Sequence, residues 1–141
     1  MNNDTKTVPA SHPHDIMPPV AKLLGRELMS REAGQAKLRF VARPDFANRH
    51  GTVQGGILTA MLDSACGNAL HMNLAGDLKA VTTRLDTVFL RPAPIGPLIA
   101  TAKVTRKDDR SADIEAEIGT EEGQICAKAV ATMRLLPRNP A

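Results

Sequence analysis

Apolar and polar positions alternate along "QAKLRFVA" (35–42): Ala36, Leu38, Phe40 and Ala42 share one face, and Lys37 and Arg39 lie on the other. A period of two predicts a strand with one buried face. The same period runs through Ala112, Ile114, Ala116 and Ile118 within 111–119. It recurs in Ile125, Ala127, Ala129, Ala131 and Met133 within 124–136. Further strands are predicted over 79–91 and 97–107, with a short one over 26–31. Gly34, Asp108-Asp109-Arg110 and "TEEG" (120–123) supply turns of hairpin length. Between about Gly55 and Met72 the period lengthens to that of a helix. Ile57, Leu58, Met61, Leu62, Ala65, Cys66, Ala69 and Leu70 then form one apolar stripe.

The rest of the chain punctuates these elements. Residues 1–14 are polar and carry Pro and His, so a disordered leader is expected, followed by one domain over 15–141. Pro18 and Pro19 suit the first turn of a short helix reaching about Leu24. "RPDFANRHGTVQ" (43–54) reads as a loop. The strands after the helix are too long and too closely joined for βαβ crossovers. The expected fold class is therefore α+β, with a curved antiparallel sheet wrapped around one long central helix.

The far side of that helix carries Thr59, Ala60, Asp63, Ser64, Gly67 and His71. A solvent face would normally hold Lys, Glu or Arg. From Gly51 to Gly76 the only formally charged side chain is Asp63. A small, nearly uncharged face of this kind fits close packing, best against a partner subunit. Asp63 there is either a structural carboxylate with a pairing role or a general base or nucleophile in a partly dry cleft. Gly55-Gly56 opens the helix. Its free N–H groups and the helix dipole suit a polarised carbonyl oxygen, although a double Gly also serves a tight turn. Eight helical residues span about 12 Å. Asp63 and the Gly55 amide of one chain therefore do not easily reach one reacting group. Antiparallel helices of a two-fold homodimer would bring them together.

Composition narrows the function. The chain has 141 residues, a formal net charge of +3, no Trp or Tyr, and three Phe. A mild, scattered charge without a basic cluster argues against nucleic acid as a partner. Cys66 and Cys126 lie in apolar segments at no metal or redox spacing, and fit buried thiols in a reducing compartment. No secretory signal pattern is present, and the longest apolar stretch is interrupted by Asp63, Asn68 and His71. A cytoplasmic protein with no membrane association is expected. His12 and His14 lack a third ligand at a helpful spacing, so neither a metal nor another cofactor is expected.

"NRHGTVQGGILTAMLDSACGNAL" (48–70), followed by "TTRLDTVFLRPAPIG" (82–96), resembles the hotdog-fold acyl-CoA thioesterases of the PaaI-like, phenylacetic-acid-pathway type. Their pattern is roughly N-x-x-G-x-x-H/Q-G-G, then Asp, then Ser or Thr in a strand ending L-R-P. The resemblance covers about residues 20–136. It implies a homodimer, often paired into a tetramer, and an active site shared between subunits. The base or nucleophile falls on Asp63 and the oxyanion-hole amide on Gly55. Asn48 falls on the loop residue that orients the carbonyl or the water. Thr82 falls on the residue that positions the water or the carboxylate. Gln54 stands where many relatives have His; an amide can donate a hydrogen bond but cannot titrate near neutral pH. His50 would be structural or pocket-lining.

The implied reaction is hydrolysis of an acyl-CoA to a carboxylic acid and CoA, with a medium-chain or arylacetyl group. Gly56 would leave room for substrate, and Phe46, Met61 and Leu62 would line the acyl pocket. Arg84, Arg91, Lys103, Arg106, Lys107 and Arg110 are candidates for the CoA phosphates, or are ordinary solvated strand charges. Hydration or dehydration of an acyl thioester is a rival activity, although the His-Phe-Pro loop of dehydratases is absent. A non-catalytic acyl-CoA-binding protein is the rival outside enzymology.

Overall fold

The computed structural model describes residues 17–71 and 74–138; the expected disordered leader, His12, His14 and the predicted helix end at Met72 lie outside them. A short helix α1 (Pro19–Leu23) leads into strands β1 (Glu27–Glu32) and β2 (Gln35–Ala42). The long helix α2 (Gly55–His71) follows, and then β3 (Leu78–Phe89), β4 (Gly96–Lys107), β5 (Ser111–Gly119) and β6 (Ile125–Pro137). One 3-10 turn, Pro44–Phe46, interrupts the loop predicted over 43–54.

All six strands form one antiparallel sheet in the order β1-β2-β4-β5-β6-β3. This sheet wraps α2, which is the hotdog arrangement. The packing follows from residue size. Ala36, Ala42, Ala100, Ala102, Ala112, Ala116, Ala127, Ala129 and Ala131 carpet the sheet's inner face and are all buried. Leu58, Met61, Leu62, Cys66 and Leu70 of α2 descend onto that carpet, joined by Leu38, Phe40, Leu98, Ile114 and Ile118. Small strand residues beneath large helix residues allow close packing without aromatic bulk. Of the predicted apolar stripe only Ile57 stays half-buried. Asn68, outside the stripe, is buried and satisfied by donating its Nδ2 proton to the Ser64 carbonyl at 2.9 Å.

Two of the glycines show how geometry requires them. Gly34 closes the β1–β2 hairpin at φ 76°, a left-handed conformation that side chains disfavour. Gly119 ends β5 at a register shift, where an added Cβ would collide with the Gln124 carbonyl and lie 2.9 Å from the Ile125 Cα. Neither contact can rotate away. Gly119→Ala is expected to destabilise the fold by about 1–3 kcal/mol, the usual range for overpacking. A chemical-denaturation midpoint followed by circular dichroism checks this, and an unchanged midpoint would contradict the packing described.

Candidate active site

β3 and α2 bring the candidate residues together. Among the described residues β3 is an edge strand, paired only with β6. Its register with β6 shifts between Thr82 and Arg84. Thr82 faces inward opposite Met133, and Leu85, Thr87 and Phe89 face inward opposite Ala131, Ala129 and Ala127. The Thr82 hydroxyl donates a 2.7 Å hydrogen bond to Asp63 Oδ1. Both residues are half-buried, so the carboxylate has a fixed partner and remains reachable. Thr59, Ala60, Ser64, Gly67 and His71, on the same side of α2, are also half-buried.

Ser64, the next residue, is anchored from the other side by Arg26, whose Nη1 donates to Ser64 Oγ at 2.9 Å. Burial, and then the charge of Arg31, push the Arg26 pKa down. Asp63 and Ser64 thus tether the middle of α2 in two directions. The Arg26 contact was not foreseen, because nothing in its own segment points to α2. Cys66 lies one turn beyond Asp63. Burial, and then the Asp63 charge, push its thiol up to about 12, so it stays protonated at neutral pH and is a poor nucleophile.

At the other end of the site, the Gln54 carbonyl accepts from the Ile57 and Leu58 amides at 2.9 and 3.3 Å. Gln54 therefore caps α2, and its side chain is exposed. The Gly55 and Gly56 amides precede the first helical bonds and donate to no backbone acceptor among the described residues. The two glycines differ. A Cβ on Gly55 would lie 3.3 Å from two ring carbons of Phe89, whereas one on Gly56 would meet nothing within 4 Å. Gly55 makes room for the Phe89 ring, and Gly56 keeps the approach to the amides open.

Asn48 is committed to its own loop. Its Oδ1 accepts from the His50 and Thr52 amides at 2.9 and 3.2 Å, and its Nδ2 donates to Thr52 Oγ1 at 3.1 Å. One Nδ2 proton remains for another acceptor. His50 is exposed, held by its backbone.

The other candidates lie elsewhere in the fold. Met61 and Leu62 have 0% exposure and belong to the sheet-facing stripe. Phe46 is likewise core, with the Arg43 guanidinium 4.9 Å from its ring centroid. Arg84 stands on the outer face of β3, bonded to Asp86 at 2.9 Å, across the sheet from Asp63. Arg106 is consumed by Asp108, Asp113 and Ser111. With Lys107 and Arg110 it lies at the β4–β5 turn, the end of the sheet away from Gly55. Lys103 lies in a groove of about 610 Å³ on the outer face, with Lys37, Lys128, Glu115 and Glu117. That groove is on the wrong side of the sheet for Asp63 chemistry. Arg91 alone follows Phe89 near the start of α2, and it is exposed.

Among the described residues no three His, Cys, Asp or Glu side chains are grouped to hold a metal ion, and no helix is long and apolar enough to cross a membrane.

A curved antiparallel sheet around one long helix defines the hotdog class. The chain belongs to the Thioesterase superfamily, whose sequence profile matches residues 50–127. It is 31% identical over 118 residues to a Saccharolobus solfataricus protein provisionally named an esterase, covering 83% of each chain. Its fold matches the crystal structure of a phenylacetic acid degradation-related protein of Ralstonia eutropha JMP134, provisionally named a thioesterase. That match has a TM-score of 0.82 and 31% identity, covering 86% of this chain and 93% of the other. The PaaI protein of the E. coli phenylacetic acid degradation operon matches with a TM-score of 0.77 and 26% identity, covering 84% and 85%.

Proposed function

We propose that this protein is an acyl-CoA thioesterase, acting as a homodimer with two active sites, each built from both chains. The observation that carries the reading is the 2.7 Å Thr82–Asp63 hydrogen bond, which presents a carboxylate at an open sheet edge. β3 reaches Asp63 through Thr82 and Gly55 through Phe89. If two β3 edges pair antiparallel about a two-fold axis between these positions, the Thr82 end of one strand meets the Phe89 end of the other. Asp63 of one protomer then faces the free Gly55 and Gly56 amides of its partner. No described residue pairs with the outer edge of β3, which favours such an arrangement: Val81 and Val88 are 43% and 59% exposed, and an exposed apolar edge strand invites pairing.

In this arrangement the α2 amides bind the thioester carbonyl oxygen and stabilise the tetrahedral oxyanion. Asp63 removes a proton from water as it attacks, or attacks the carbonyl itself to give an anhydride that water then opens. CoA leaves as the thiol. Thr82 fixes the carboxylate rotamer, and the spare Nδ2 proton of Asn48 is available to the carbonyl or the water. Gln54 supplies no titrating group, so Asp63 performs the proton chemistry without a histidine. Arg91 is the basic residue best placed for a CoA phosphate.

The test is free-thiol release from acyl-CoAs of increasing chain length and from phenylacetyl-CoA, with the enzyme's mass in solution measured in parallel. Stoichiometric thiol and acid from at least one medium-chain or arylacetyl substrate, by a dimer or a multiple of it, is expected. Binding without thiol release would instead identify an acyl-CoA-binding protein.

A further inference from the structure

On the inner face of β3 one polar atom has no explanation in the reaction just described. Thr87 Oγ1 is buried and has no hydrogen-bond partner among the described residues. A buried hydroxyl without a partner is unfavourable and calls for a reason. Its surroundings on the sheet cannot supply one. Thr87 pairs with Ala129, its flanking inward residues are Leu85 and Phe89, and the positions opposite those are Ala131 and Ala127. Every inward neighbour on the sheet is apolar, and the three on β6 are alanines. Yet the position is not remote. It lies on the same strand face as Thr82, which holds Asp63, and two residues before Phe89, which lies against Gly55. Two residues of strand span about 7 Å. A carbonyl oxygen held at the start of α2 would therefore leave the second or third acyl carbon beside Thr87.

We infer that Thr87 is a specificity-determining residue whose hydroxyl hydrogen-bonds an oxygen on the acyl chain, a hydroxyl or keto group close to the thioester. This rests on the thioesterase reading above and names the substrate class within it. An unsubstituted acyl chain leaves the buried hydroxyl unpaired, whereas an oxygenated one satisfies it, and sites built to bond a substrate oxygen discriminate strongly against analogues lacking it.

The test compares kcat/KM by thiol release for hexanoyl-CoA, 3-hydroxyhexanoyl-CoA and 3-oxohexanoyl-CoA. The wild type is expected to favour at least one oxygenated substrate over hexanoyl-CoA by about tenfold or more. Thr87→Val keeps the shape and removes the hydroxyl. It should bring the ratio to within about twofold while leaving hexanoyl-CoA hydrolysis near the wild-type rate. Thr87→Ser keeps the hydroxyl and should keep the preference, which guards against a variant that fails to fold. The comparison of hydroxyl and keto arms identifies which oxygen is bound. No preference in the wild type, or the same preference in Thr87→Val, overturns the inference while leaving thioesterase activity standing. Absence of thiol release from every acyl-CoA, including the unsubstituted series, overturns the thioesterase reading itself.

Discussion

Asp63→Asn is expected to lower kcat for thioester hydrolysis by about 10²-fold or more while the protein stays folded. The substitution changes one atom. The Asn carbonyl can still accept the proton that Thr82 donates at 2.7 Å, so the tether between α2 and β3 survives. What disappears is the negative charge that, in the proposed mechanism, takes a proton or attacks the carbonyl. KM should move little, because Asp63 acts on the reacting group and not on the CoA moiety. A purely structural carboxylate would behave differently: its loss would lower the melting temperature and leave the rate per folded molecule unchanged. Wild-type kcat in a well-folded Asp63→Asn protein would end the mechanism. Circular dichroism gives the fold check, since with no Trp the chain offers little intrinsic fluorescence.

Replacing Gly55 tests the other half of the site. Gly55 is the first residue of α2, where proline is tolerated and its missing N–H breaks no helical bond. Gly55→Pro should therefore delete an oxyanion donor and cost about 10²–10³-fold in kcat. Any Cβ here presses on the Phe89 ring at 3.3 Å, so Gly55→Ala is the necessary control. It carries the same contact, keeps the amide, and should retain far more activity than the proline variant. The two lesions can then be combined across chains. A mixed dimer of Asp63→Asn and Gly55→Pro protomers has one doubly damaged site and one intact site. Random reassortment of equal amounts should restore about one quarter of wild-type activity from two nearly inactive parents, as two-fold symmetry requires. No recovery after verified subunit exchange would place Asp63 and Gly55 of the same chain in one site.

The strands were legible where alternation was uninterrupted: β2 and β5 occupy the segments whose period of two was clearest, and α2 covers the helical stretch to within a residue or two. The end of β3 was not. The apolar run continues through Leu90, but the Leu90 and Arg91 amides both turn to the Cys126 carbonyl, so the strand stops at Phe89. Strand order is a tertiary property that no local pattern contains. The helix periodicity separated the two faces of α2 correctly, with Met61 and Leu62 on the buried stripe. Asp63 stood out as a lone charge, yet its bond to Thr82 depends on β3 lying beside α2. The roles of Phe89 and Thr87 were invisible for the same reason. One fills the space Gly55 leaves, and the other is orphaned by alanines from a distant segment. Asn48 looked free to meet substrate because the sequence does not reveal that its loop folds back on it.

The third strand in the chain is the last in the sheet, and this ties the site to the order of synthesis. Asn48, Gln54, Gly55, Asp63 and Thr82 have all left the ribosome before β6 exists. But among the described strands β3 pairs with β6 alone, from Leu78 against Pro137 to Phe89 against Ala127. Pairings this distant in sequence form late in folding. The carboxylate and its threonine are thus translated before the strand that aligns them, and the pair comes into register only once β6 has been made and has docked on β3.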